Sequence, residues 1–476
     1  MTLAHILLLA AAALLAALLG RGRWRGRLML GLSILALYWL QPSTPIRHLD
    51  FWLPTASLAL TIGVWVVTRP PAPEAADLRP ALMTAATITL VVVAIALTRY
   101  LGGACCLTAS RPPGILSVLL ALGLAAAIGA GVARFVPNPA RLAASFSLLV
   151  VGLFLMMKVE LFGEAASAGL RALTGQPADQ ASALDLRWLG FSYLAFRLLH
   201  ALRDRASGRL PALSLHEFVT YALFFPALTA GPIDRSDRFV KDLRQPFSFS
   251  ASEALEGGKR IVVGLFKKFA LADTLALIAL NRVNAAQTTS AFWAWMLLYA
   301  YAWRLYLDFS GYTDIAIGLG RLFGVRLPEN FERPYLKPNL TTFWNSWHIT
   351  LAQWFRAYFF NPLTRALRSR PRPLPAALII LIGQVGTMLL IGLWHGVTWN
   401  FVAWGAWHAA GLFVHNRWAE FARARLSALD RAPVLKRAAR LAGVALTFHY
   451  VTLGWVWFAL PSPDLSQTVF QRLFGL

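Results

Sequence analysis

Long apolar blocks, separated by short polar joints, run through this chain from end to end. A bilayer core is about 30 Å thick and a helix rises 1.5 Å per residue, so about 20 mostly apolar residues cross it. Fourteen runs approach that length, the first at Leu3–Leu19 and the last at Leu441–Leu460. Some are too short to cross, so the pattern predicts an all-α, polytopic bundle of about 11–13 spanning helices, with the remainder re-entrant or interfacial. Thr68–Pro80, with four prolines, reads as a loop; Thr174–Asp185 reads as a water-exposed polar loop, and Leu426–Arg440 as a basic linker. Residues 1–165 are nearly featureless Leu, Ala, Val and Ile and read as an N-terminal scaffold. Residues 187–417 are dense in Trp, Tyr, His, Asp and Asn inside or beside apolar runs, and read as the core that carries a site. Residues 418–476 supply a basic linker and a last membrane helix.

Composition narrows the class. Of 476 residues, 57% are hydrophobic and only 14% charged, where a soluble domain carries about 25% charged residues. That excludes an ordinary soluble enzyme and a disordered chain alike. The net charge of +23 would suggest nucleic acid in a soluble protein. Here the basic residues bracket apolar runs instead of forming one contiguous patch, which is the layout of cytoplasmic loops beside anionic lipid. Arg21, Arg23, Arg25 and Arg27 follow the first apolar run instead of preceding it, the wrong order for a cleaved signal peptide. The expected setting is therefore a multi-pass protein in membrane lipid, with no nucleic-acid partner.

Four segments place polar groups where a lipid-facing helix would not tolerate them. Pro226, Gly231 and Pro232 break the first, which ends in Asp234 and Arg235; it is either a plain helix end or a broken helix at a cytoplasmic donor entrance. In the second, Asp308 and Tyr312 share a face and Asp314 lies on another flank. These acids either hold helices together through Arg or Trp N–H partners or orient an imidazole. The third runs from Phe343 to Arg356; Trp344, His348 and Ala352 would share one helical face, with Asn345 and Arg356 adding polarity. The fourth holds Trp394, His395 and Asn400, with His395 between Gly392 and Gly396, which allow close backbone approach. His408 follows on the next run and either lines the same cavity or is a core histidine.

The chemistry these residues can support is limited. Ser310 and Ser346 sit in no Gly-x-Ser-x-Gly elbow, Gly257-Gly258-Lys259-Arg260 lacks the phosphate-loop spacing, and no metal-ligand spacing exists. One or two histidines in a membrane cavity remain. An imidazole takes and gives a proton near neutral pH. That suits deprotonation of a hydroxyl for direct attack on an activated acyl group, with no bound cofactor and no metal.

The strings FFPALTAGPIDR (224–235), LYLDFSGYTDIAIGLGRLFGVRLPENF (305–331), PYLKPNLTTFWNSWHITLAQWFRAYFFNPL (334–363) and GLWHGVTWNFVAWGAWH (392–408) occur in that order. Together they resemble the membrane-bound O-acyltransferase family, in the bacterial branch of the alginate O-acetyltransferase and teichoic-acid D-alanylation membrane proteins. The resemblance implies a many-helix bundle around a tunnel through the membrane. It implies a thioester co-substrate, acyl-CoA or an acylated phosphopantetheine carrier protein, arriving from the cytoplasm. The acceptor hydroxyl, on a glycan or on a periplasmic or extracellular acyltransferase partner, would arrive from the other side. It makes His395 the catalytic histidine and His348 the second polar group, positioning the thioester or hydrogen-bonding its carbonyl oxygen. Asp308, Tyr312, Asp314, Asn345, Trp394, Asn400 and His408 would support the site or line the tunnel, and Asp234, Arg235 and Arg356 would stand at the donor entrance. The family usually has a basic residue where Asn345 stands and an acid where Ala357 stands. Acetyl is the expected acyl group and the bacterial cytoplasmic membrane the expected location; D-alanyl is the main variant.

A transporter or flippase is the rival class. It would hold Asp308 and Asp314 in a closed cage at the bilayer midplane as an ion site, with alternating access. A scaffold of a cell-wall assembly complex would tolerate loss of both histidines.

Overall fold

The computed structural model describes residues 2–19, 23–69, 79–102, 105–135, 139–246, 249–372, 374–425 and 432–476. Among these the chain is all-α, with no strand; Phe331 and Trp347 form an isolated bridge. Among the described residues, five helices are long and apolar enough to cross a membrane, Leu49–Thr68, Arg79–Tyr100, Ala140–Lys158, Ala376–His395 and Pro433–Ala459, and Leu3–Leu18 and Ile115–Gly129 are shorter apolar helices. The protein is a polytopic membrane helix bundle. Elsewhere among the described residues, two departures from the apolar pattern have physical reasons. Ala291–Leu322 and Trp399–Arg425 have the length, but charged residues in the first and Trp, His and Asn in the second lower their mean hydropathy. The polar segments between them are folded into short helices: the run from Phe343 to Phe360 divides among Leu340–Trp344, Ile349–Phe355 and a π-helical turn at Arg356–Phe360.

The chain forms two compact units. The first comprises Met1–Ile261 and Ile315–Leu327. Arg25, expected among loop charges, is buried here instead and donates to the carbonyls of Phe323 (2.8 Å), Gln245 (3.1 Å) and Gly324 (3.3 Å). Three carbonyl acceptors supply what water otherwise would. Of its expected companions, Arg21 lies outside the described residues, as does 70–78 of the predicted proline-rich loop. The expected polar loop at Thr174–Asp185 is only partly wet. Its last residue, Asp185, is buried and takes hydrogen bonds from Ser167 (2.7 Å) and Arg171 (2.9 Å).

The predicted break around Pro226 is present in this unit. Ser214 caps the helix Leu215–Leu223 through a reciprocal box with Glu217. Burial pushes the Glu217 carboxyl up, but hydrogen bonds from Arg244 (2.6 and 3.0 Å) and the Ser214 N–H outweigh it and hold the group below its usual range. A 3₁₀ turn at Phe225–Ala227 follows, and the chain then doubles back so tightly that a Cβ at Gly231 would lie 2.4 Å from the Ala227 Cα. The fully buried Arg197 donates to the carbonyls of Ala222 (2.8 Å) and Ala227 (2.6 Å), supplying donors for backbone groups the break exposes.

The second unit comprises Val262–Asp314 and Pro328–Leu476. Ala376–His395 and Trp399–Arg425 form an antiparallel pair joined by residues 396–398. Their backbones almost touch. A Cβ at Gly392 would lie 2.3 Å from the Phe401 carbonyl oxygen, and one at Gly405 would lie 2.7 Å from that of Met388. Gly392→Ala is therefore expected to force these helices apart, and a lowered melting temperature in detergent would show it; an unchanged melting curve would contradict the packing. The basic linker is shorter than its sequence suggests, since the last long helix begins at Pro433; residues 426–431 lie outside the described residues.

Candidate active site

Residues 328–350 build one side of the site in the second unit. The helix Leu340–Trp344 ends at Asn345, and the chain turns so that His348 takes a left-handed conformation (φ 43°, ψ 53°) at the start of Ile349–Phe355. A β-carbon residue in that region is strained by about 1–3 kcal/mol and persists only where its surroundings impose it. They do so here. The Ile349 N–H donates to the Asn330 carbonyl (3.0 Å) and the Glu332 N–H to that of Ser346 (3.0 Å). The Asn330 side-chain oxygen accepts from the Thr350 N–H (3.1 Å) and hydroxyl (2.9 Å). The single face predicted for Trp344, His348 and Ala352 therefore does not form, because the helix is interrupted at the histidine.

His348 is 2% exposed. Its Nδ1 lies 3.1 Å from Asn330 Oδ1, and its Nε2 is buried with no hydrogen-bond partner among the described residues. Phe309 meets its ring edge-on at 4.7 Å. Trp394 lies 6.1 Å from the His348 ring and 4.6 Å from the His395 ring, so one indole stands beside both imidazoles. His395 ends the Ala376–His395 helix, half-buried, against Phe458 (4.8 Å), Trp404 (5.7 Å) and Phe401 (5.9 Å).

The other candidates fall into three places. His408 is fully buried among Trp404 (4.9 Å), Trp344 (5.1 Å) and Trp455 (6.1 Å), and neither ring nitrogen has a hydrogen-bond partner among the described residues. Asn400 ties the chain's end in place, its amide donating to the Leu460 carbonyl (2.7 Å) and the Ser466 hydroxyl (3.0 Å). Asn345 accepts from Arg356 (2.6 Å). On the helix Ala291–Leu322, Asp314 pairs with Lys267 at 2.7 Å and Asp308 with Lys268, while Tyr312 is buried. In the first unit, Asp234 is buried and paired with Arg238, and Arg235 meets Asp204 at 3.3 Å and Asp237 at 3.0 Å.

Two sets of residues were missed from the sequence. Lys267 and Lys268 interrupt one apolar run as Asp308 and Asp314 interrupt another, and that charge balance was the available signal. Asn330 gave none, because an asparagine in a Pro-Glu-Asn loop reads as an ordinary turn residue. Among the described residues no group of three or more His, Cys, Asp or Glu could hold a metal ion.

Residues 145–450, well over half of the chain, match the membrane-bound O-acyltransferase family. The chain belongs to that family. Both histidines lie inside the matched region, and membership supports acyltransferase chemistry in general. The chain is 35% identical over 291 residues to a probable alginate O-acetylase of Azotobacter vinelandii, covering 60% of this chain and 54% of the relative. It is 33% identical to a peptidoglycan O-acetyltransferase of Helicobacter pylori, over 58% of this chain and 52% of that protein. A teichoic acid D-alanyltransferase of Streptococcus thermophilus is 32% identical over 58% of this chain and 68% of its own length. The match thus spans about half the length of the two acetyl-transferring relatives.

Proposed function

We propose that the protein moves an acetyl group from a cytoplasmic thioester to a hydroxyl of an extracytoplasmic glycan or of a partner protein, in the bacterial cytoplasmic membrane. The observation that carries this reading is the grouping of His348 and His395 about Trp394 within the family-matched region. His395 acts as general base. It removes the hydroxyl proton, and the oxygen attacks the thioester carbonyl carbon. The tetrahedral intermediate collapses with cleavage of the carbon–sulfur bond, and the leaving thiolate takes the proton back from the imidazolium. Donor and acceptor would reach the site through a tunnel from opposite sides, with Arg356 at the donor entrance. Acetyl is favoured by the acetyl-transferring relatives.

The ion pairs of Asp308 and Asp314 support this reading over transport. A carboxylate already matched by a lysine is a poor cation site, and both acids are so matched. The test is label transfer from radiolabelled acetyl-CoA, and separately from a D-alanyl carrier protein, to glycan in membranes holding the wild-type protein or H395A. Histidine-dependent labelling from acetyl-CoA is expected. Labelling from the carrier alone would replace acetyl by D-alanyl, and labelling from neither would remove the enzymatic reading.

A further inference from the structure

The Asn330–His348 contact decides which way a hydrogen bond can run at the site. A backbone N–H can only donate, so the Asn330 atom facing the Thr350 N–H is the side-chain oxygen. An amide oxygen can only accept. His348 Nδ1, 3.1 Å from the same oxygen, must therefore carry the proton. In the neutral ring Nε2 then has a lone pair and no hydrogen. That nitrogen is buried and has no partner among the described residues, and an unmet buried acceptor is costly unless a ligand completes it. A neutral His348 held this way has nothing to donate to a thioester carbonyl oxygen, one of the two roles expected of it.

We infer that Asn330 is a positioning residue: it holds His348 in the Nδ1–H form, so that Nε2 accepts a hydrogen bond from a substrate hydroxyl. This rests on the acyl-transfer reading above. A sugar presents adjacent hydroxyls. One loses its proton to His395, and its neighbour is held by His348. The acceptor class is thus a vicinal diol, and the left-handed backbone at His348, clamped by residues 330–332, keeps the ring where that neighbour arrives. Asn330 is itself fully buried, so its side chain is no solvent-exposed turn group.

The test has two arms. Nitrogen NMR of isotope-labelled histidine in lipid nanodiscs, with His348 assigned by its loss in H348Q, reads the protonated nitrogen directly. Acyl transfer from acetyl-CoA to glycerol and to 1-propanol reads the diol preference as a ratio of kcat/KM values. In wild-type protein His348 should carry its proton on Nδ1, and glycerol should be preferred. Asn330→Ala should mix the two tautomers and reduce the preference by about tenfold, the worth of one hydrogen bond. Asn330→Asp, which still accepts from Nδ1–H, should restore both and guards against a simple folding defect. A wild-type His348 protonated at Nε2, or N330A with an unchanged tautomer and an unchanged ratio, overturns the inference. Wild-type protein that transfers to neither alcohol nor glycan counts against the acyl-transfer reading, and the tautomer spectrum still decides the state of His348.

Discussion

Replacing His395 by alanine is expected to slow acyl transfer by about 10²–10⁴-fold, the usual worth of a positioned proton acceptor. The protein should remain folded. His395 is only half-buried and sits at a helix end, which the Gly396 N–H closes on the Gly392 carbonyl (3.2 Å). Its ring makes aromatic contacts with Phe458 and Trp404, and truncation removes one edge of that cluster without stranding a buried charge. The check is turnover beside a melting curve in the same detergent. Loss of turnover with a preserved melting temperature supports the general-base role. Near-full turnover in H395A would remove the mechanism, and a collapsed melting curve would mean that the ring acts in packing.

The largest expected effect on stability lies away from the histidines. Asp314→Ala should destabilise the protein by on the order of 3 kcal/mol, the range for breaking a buried ion pair from one side. The carboxylate is nearly buried and Lys267 is about three-quarters buried, so removing the acid leaves the ammonium without its 2.7 Å partner in poor solvent contact. Removing both charges should cost much less, because the uncompensated ion is the source of the penalty. The measurement is a double-mutant cycle of D314A, K267M and the double variant by thermal unfolding. A double variant as unstable as D314A would show that the lysine is not what the carboxylate serves. Turnover per folded molecule should barely change, which separates this holding role from a catalytic one.

Much of this molecule is legible in one dimension because lipid is a severe solvent. Backbone groups there must be satisfied within the chain, so long apolar runs become helices with little freedom to do otherwise. The same severity marks the exceptions: His348, His395, Asp308 and Asp314 stand out because a polar group inside an apolar run needs a reason. The prolines and glycine at 226–232 announce an interruption, either a plain helix end or a broken helix, and the helix Leu215–Leu223 ends just before them. Partners were harder to read. Asp308 and Asp314 lie some forty residues from Lys268 and Lys267, and Asn330 lies eighteen from His348. Side chains that far apart meet only through the folding of the segments between them.

Hydropathy and the four polar motifs determined an all-α membrane helix bundle and the family to which the chain belongs. Tertiary structure decided that His348 leaves its helix in a left-handed turn, that one indole stands beside both imidazoles, and that two acids are matched by adjacent lysines. The physical reason is range. Transfer of a segment into lipid depends on that segment's own composition, whereas hydrogen-bond direction and charge balance depend on atoms within about 3 Å, supplied by distant parts of the chain.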